Sequence, residues 1–141
     1  MSKSKRVAEM VAAHHGQKLN PHYLGFFECF NRQLFYEAHE VLEHLWLKDR
    51  HGPNGAFYKG LIQLAGAFVH VQKGRPQPAA SLLRLTLGNL EKYPSIHEHL
   101  NVETACRLAR KWLQTLEPDR LSAHPLTGHH WPVLKLERDG S

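Results

Sequence analysis

The sequence predicts an all-α protein, a single-domain bundle of five to six helices over residues 1–118 followed by an extended C-terminal tail over residues 119–141. Three observations lead there. Proline, glycine and asparagine punctuate the chain about once per helix length, and the apolar residues between them recur every three or four positions. Almost no stretch alternates with the period of two that a half-buried strand requires. A chain of 141 residues is one ordinary domain, long enough to bury roughly two thirds of its unfolded surface in a single core.

Taken in order, residues 5–15 carry Val7, Met10, Val11 and Ala12 and read as a short amphipathic arm, the first predicted helix. Asn20 is a cap and Pro21 fits the first helical position of the second, whose apolar side is Tyr23, Phe26, Phe27 and Phe30. A turn at Asn31 leads to the third helix, from about Gln33 to Lys48, which the loop sequence DRHGPNG ends. The fourth runs from about Ala56 to Lys73 and stops at Gly74-Arg75-Pro76. Pro78 opens the fifth, with Leu82, Leu83, Leu87 and Leu90 inward, and Pro94 ends it. Asn101 caps the sixth, where Ala105, Leu108, Ala109, Trp112, Leu113 and Leu116 keep helical spacing up to Pro118. Beyond it, Pro125, Gly128 and Pro132 favour an extended course, with Val133–Leu136 the one candidate strand. The expected core includes Phe30, Leu42, Leu45, Leu61, Leu64, Ala65, Phe68, Leu83 and Leu87.

Composition removes several function classes. With 42% hydrophobic and 22% charged residues the chain has too much apolar material to be disordered. Its longest apolar stretches are broken by Lys, Gln, His or Gly before the roughly 18 to 20 residues that span a bilayer, so no membrane partner is expected. The start, MSKSKRVAEM, lacks the apolar core and cleavage site of a secretory signal, which makes the cytoplasm the expected location. Cys29 and Cys106 lie in apolar helical patterns and read as small core residues. The net charge of +5 comes from scattered cations without a nucleic-acid-binding signature, so no nucleic-acid partner is expected. The 12 histidines are a large excess, and those in turns and the tail read as solvated.

The third and fourth helices carry the functional information. The fourth is apolar nearly all round and should be central and buried, yet Lys59, Gln63, Gly66 and His70 fall in a stripe about 60° wide. Buried polar groups need partners, because an unsatisfied one costs about 1 to 3 kcal/mol. The third helix offers them. Its apolar face is Leu34, Ala38, Val41, Leu42 and Leu45, flanked by an arc of about 100° holding Tyr36, His39, Glu40 and Glu43. Trp46 and Phe35 border that arc, whereas Glu37 and His44 lie farther round and read as solvated. Antiparallel packing would bring the arc onto the stripe and assemble a polar cluster of His39, Glu40, Glu43, Trp46, Lys59, Gln63 and His70.

Three chemistries fit such a cluster. A structural network would pair Lys59 with Glu40 or Glu43, and Gln63 with His39 or His70, and so fix helix register. A binding site would take a small ligand or a divalent metal such as zinc, iron or manganese, the metal held by His39, Glu43 and His70. A catalytic site would use a carboxylate base, an imidazole partner and Lys59 against an anion. Residues 39–43 read HExxE, so the zinc-peptidase motif HExxH fails at Glu43 and the inverted HxxEH fails at Glu40. The chain also lacks the Glu-x-x-His pairs of carboxylate-bridged di-iron bundles. No Walker loop, dinucleotide fingerprint, GxSxG or CxxC is present.

The run FNRQLFYEAHEVLEHLW at residues 30–46, followed by KGLIQLAGAFVHVQKG at 59–74 and a leucine-rich helix, resembles the small bacterial and archaeal family called domain of unknown function 309. The resemblance covers roughly residues 23–93. It implies an all-helical fold and no assigned activity, and its pattern falls on Glu37, His39, Glu40, Glu43, Trp46, Gln63, His70 and Gly74. The Asn31-Arg32-Gln33 turn departs from it, since a glycine-containing turn is expected there. A second class of function stays open: NRQLFYEAHEVLEHL and KGRPQPAASLLRLTLGNL are each similar to half of a tetratricopeptide unit, which would make the chain an interaction scaffold. Trp131, Leu134 and Leu136 in the tail could also serve a homodimer contact.

Overall fold

The computed structural model of the chain describes residues 7–9, 19–123 and 130–137. Its helices are α1 (Pro21–Asn31), α2 (Phe35–Asp49), α3 (Gly55–Gln72), α4 (Pro76–Leu90), α5 (Val102–Thr115) and α6 (Pro118–Ala123), with a minimal hairpin, β1 (Ile96–His97) and β2 (Leu100–Asn101), between α4 and α5. The fold is all-α, as the spacing predicts. Residues 7–9 are helical, and the rest of the expected arm lies outside the described residues.

Successive helices pack on one another, α1 on α2, α2 on α3, α3 on α4 and α4 on α5. The fourth predicted helix, α3, is central because its apolar residues surround most of its circumference. Gly60 sets its distance from α4: a Cβ there would stand 2.9 Å from Leu90 Cδ2 and 3.2 Å from Asn89 Cβ, so any side chain would push the helices apart. The array closes on itself through α5, whose Trp112 meets Phe68 of α3 edge-on at 5.1 Å. Phe30, Leu42, Leu61, Leu64, Ala65, Phe68 and Leu83 are buried as expected, whereas Leu45 and Leu87 are only partly covered. Cys29 and Cys106 are buried in the core, as their apolar helical positions predict.

Caps follow the sequence signals. Asn20 accepts from His22 N at 2.8 Å with Pro21 at the first helical position, and Asn101 accepts from Thr104 N at 2.9 Å. Two helix ends close with the same pair of reverse hydrogen bonds. After α3, Arg75 N donates to His70 O and Gly74 N to Val71 O, with Gly74 at φ 69°. After α1, Leu34 N donates to Cys29 O and Gln33 N to Phe30 O, with Gln33 at φ 65°. Here Gln33 occupies the left-handed position that glycine favours. The turn consumes Gln33 and Leu34, which is why α2 begins at Phe35 and not at Gln33.

Two features depart from the expected outline. The hairpin turn Glu98-His99 has φ 49° and 62°, the paired left-handed geometry that two-residue hairpins favour, but without the Asn-Gly that would have signalled it. The tail is not extended from residue 119: Pro118 and Asp119 open the short helix α6, proline preset for the first helical turn and aspartate on the favourable side of the helix dipole. Residues 130–137 return over the bundle. Trp131 rests on Phe35 and Trp112, Leu134 is buried, and the Asn31 side chain donates to Leu134 O at 2.7 Å and accepts from Leu134 N at 2.8 Å. The expected strand at 133–136 amounts to one bridge, Leu136 to Leu100 on the hairpin.

Candidate functional site

Two cross-helix contacts fix the antiparallel register of α2 and α3. The Lys59 ammonium lies 4.3 Å from the centre of the Trp46 ring, and Gln72 Nε2 donates to Gln33 O at 3.1 Å at the other end of the seam. Between them a groove of about 310 Å³ opens, lined by Tyr36, His39, Lys59, Ile62, Gln63, Gly66, Val69, His70 and Leu82. The whole polar stripe of α3 therefore faces one groove, and α2 brings His39 and Tyr36 to it. Leu82 reaches its wall from α4 because Gly66 has no side chain: a Cβ there would meet Leu82 Cδ1 at 3.3 Å.

The partners within the groove differ from those expected. Lys59 makes no ion pair with Glu40 or Glu43, and its ammonium rests on the Trp46 face, a cation–π contact. Gln63 bonds to neither histidine. Its Oε1 accepts from Asn89 Nδ2 at 2.8 Å, and Asn89 Oδ1 in turn faces Lys92 Nζ at 3.4 Å. Lysine only donates, so its contact assigns the Asn89 oxygen, and Asn89 then assigns the Gln63 oxygen. Asn89 of α4 and Lys92 in the turn after it were missed from sequence; the available signal was that Asn89 interrupts a leucine face next to Leu90. His39 Nε2 lies 3.6 Å from Glu43 Oε2 on the same helix, with the two side chains about one third and two fifths exposed. His39 Nδ1, His70 Nδ1 and Glu40 Oε1 are buried without a hydrogen-bond partner.

The metal set does not assemble. Among the described residues no three His, Cys, Asp or Glu side chains are grouped so as to hold a metal ion. Register gives the reason. The level facing His70 on α2 is near Phe35, about two turns before Glu43, which places the carboxylate roughly 12 Å away along the axis at 1.5 Å per residue. Glu40 and Glu43 line no part of the groove. Glu37, expected in solvent, is 6% exposed. It shares a stripe of α2 with Val41 and His44, and His44 stacks on His22 of α1 at 4.6 Å, so that stripe turns toward α1.

A second polar cluster sits at the loop end of the bundle. Tyr93 Oη donates to Pro53 O at 2.8 Å and accepts from Phe57 N at 2.9 Å. His97 Nε2 bonds Asn54 Oδ1 at 2.6 Å, Asn54 Nδ2 reaches Tyr58 Oη at 3.4 Å, and the His97 ring packs on Phe57 and Tyr93. Tyr23 Oη donates to Glu98 O at 2.7 Å. Burial pushes the Tyr58 hydroxyl above its ordinary acidity range although Asn54 counteracts it, and burial followed by the charge of Glu98 pushes Tyr23 up further.

The family model described as Domain of unknown function (DUF309) matches residues 23–82. That bears out the resemblance drawn from the EAHEVLEHLW and GLIQLAGAFVH segments. The DUF309 match runs from α1 into α4 and ends on Leu82, so it contains every residue that lines the groove. An uncharacterized protein of Aquifex aeolicus (strain VF5) is 31% identical over 74 residues, 52% of this chain. The matched stretch spans 22% of that protein's length. No solved structure matches. No described helix is long and apolar enough to cross a membrane.

Proposed function

We propose that the chain binds a small organic ligand in the groove between α2 and α3. One observation carries this reading: the half-buried Lys59, His39 and His70 converge on a groove of about 310 Å³ without a carboxylate in its wall and without the ion pairs that a register-fixing network would use. A volume of that order is at the lower limit of small-molecule sites, and the mixed lining of Ile62, Val69 and Leu82 with a few polar groups is their usual composition. The scaffold alternative uses an exposed face rather than a recess and draws no support from the inward-facing stripe. A metal role is not proposed, because the His39–Glu43–His70 set is spread along the seam.

A thermal-shift screen of small organic acids, amines and amides tests the reading. Stabilisation should grow as RT ln(1 + [L]/Kd), about 2.7 kcal/mol at a hundredfold excess over Kd. Gly66→Leu, which fills the floor beside Leu82, should abolish it. Equal shifts in the Gly66→Leu variant, or none with any compound class, would refute the reading, and added EDTA should change nothing.

A further inference from the structure

The groove presents donors. Lys59 is the one formally charged side chain in its wall, with histidine counted as neutral, and no Asp or Glu lines it. The Lys92–Asn89–Gln63 relay ties down the Gln63 oxygen, so Gln63 is left with its amide N–H groups for the groove. His70 has a buried Nδ1 without a partner. The tautomer that buries no unpaired N–H carries its proton on Nε2. Tyr36 adds a hydroxyl at the rim. An ammonium, an amide and an imidazole thus stand along α3, beside the apolar Ile62 and Val69 of the same helix and Leu82 of α4.

We infer that the ligand is a small organic monoanion, a carboxylate on an apolar body, with the carboxylate between Lys59 and Gln63, one helical turn apart, and the body running along Ile62, Val69 and Leu82 toward His70. This rests on the ligand-binding reading above. The single formal charge and the absence of arginine favour a monoanion over a phosphate dianion, which usually draws on a bidentate guanidinium or several cations. Glu43 stands next to His39 outside the groove wall and opposes an anion on the α2 side, so the carboxylate binds on the α3 side, at Lys59 and Gln63.

Calorimetric titration with hexanoate, benzoate, their neutral amides and phenyl phosphate tests the inference. The carboxylates should bind at least tenfold more tightly than the amides. Lys59→Met and Lys59→Gln, both checked for an unchanged melting profile, should erase that preference, and Glu43→Gln should leave it intact or enlarge it. Amides binding as well as carboxylates would overturn the anion assignment and leave the groove a ligand site. Phenyl phosphate binding more tightly than benzoate would overturn the monoanion match. Carboxylate binding that survives Gly66→Leu would place the site elsewhere and overturn both readings, whereas no binding of any probe would overturn the carboxylate assignment and leave the groove reading to the wider screen.

Discussion

The polar cluster at the loop end of the bundle and the polar groove between α2 and α3 use similar residue types, yet one is satisfied and the other is not. At the loop end, Tyr93, His97, Asn54 and Tyr58 exchange hydrogen bonds with one another or with backbone groups. In the groove, two histidine nitrogens are buried without partners and an ammonium lies on a ring without a carboxylate. A protein gains stability from the first arrangement and forgoes some in the second, because an unpaired buried polar atom loses hydration without recovering it. The first cluster therefore reads as structure. The second reads as a surface prepared for something else.

The largest effect that would break this contrast is expected at Tyr93. Tyr93→Phe removes both the donor to Pro53 O and the acceptor for Phe57 N, and should destabilise the fold by about 2 kcal/mol in chemical denaturation. No ligand should restore it. A loss below about 0.5 kcal/mol would mean that the loop cluster does not hold the bundle together.

Alkaline unfolding is the next test. Tyr23 and Tyr58 have folded pKa values raised above the ordinary 10.0, so the folded state holds protons that the unfolded chain releases near that pH. Their contribution is fully present below pH 10 and is lost as pH rises through the folded values. Stability should fall above about pH 10, less steeply in Tyr23→Phe. A slope unaffected by that variant would show that these phenols do not carry the effect.

Gln33→Gly should raise stability by about 1 kcal/mol, since the left-handed position after α1 is strained for any residue with a Cβ. The gain sharpens the comparison by showing that the turn entering the groove side of α2 was not optimised for stability. The smallest expected effect is His70→Leu. Replacing an unpartnered imidazole should change stability by no more than about 0.5 kcal/mol. A loss near 2 kcal/mol would show that His70 belongs to a structural network after all.

How much of this was legible beforehand follows from which interactions are local. The helices were, because Phe26, Phe30, Leu61, Leu64 and Phe68 repeat with helical spacing and Asn20, Asn101 and Gly74 are local caps. So was the sharing of one face by Lys59, Gln63 and His70, which needs only a helical period of 3.6 residues. Their partners were not. Whether Glu43 reaches Lys59 or His39 depends on the rotation and register of two helices, which the Lys59–Trp46 and Gln72–Gln33 contacts set between residues distant in sequence. The Asn89–Lys92 relay comes from the end of a third helix and the turn after it, and no pattern in α3 points to it. Glu37 was misplaced because its burial depends on α1 lying across that stripe of α2.

The most direct test of the central claim is a hexanoate titration followed by two-dimensional ¹H–¹⁵N NMR of backbone amides and of glutamine, asparagine and histidine side chains. The account predicts saturable shifts at Lys59, Gln63 and His70, with Asn54 and His97 unmoved. Shifts that appear first at Asn54 and His97, or groove signals that stay fixed while the loop cluster responds, would contradict it.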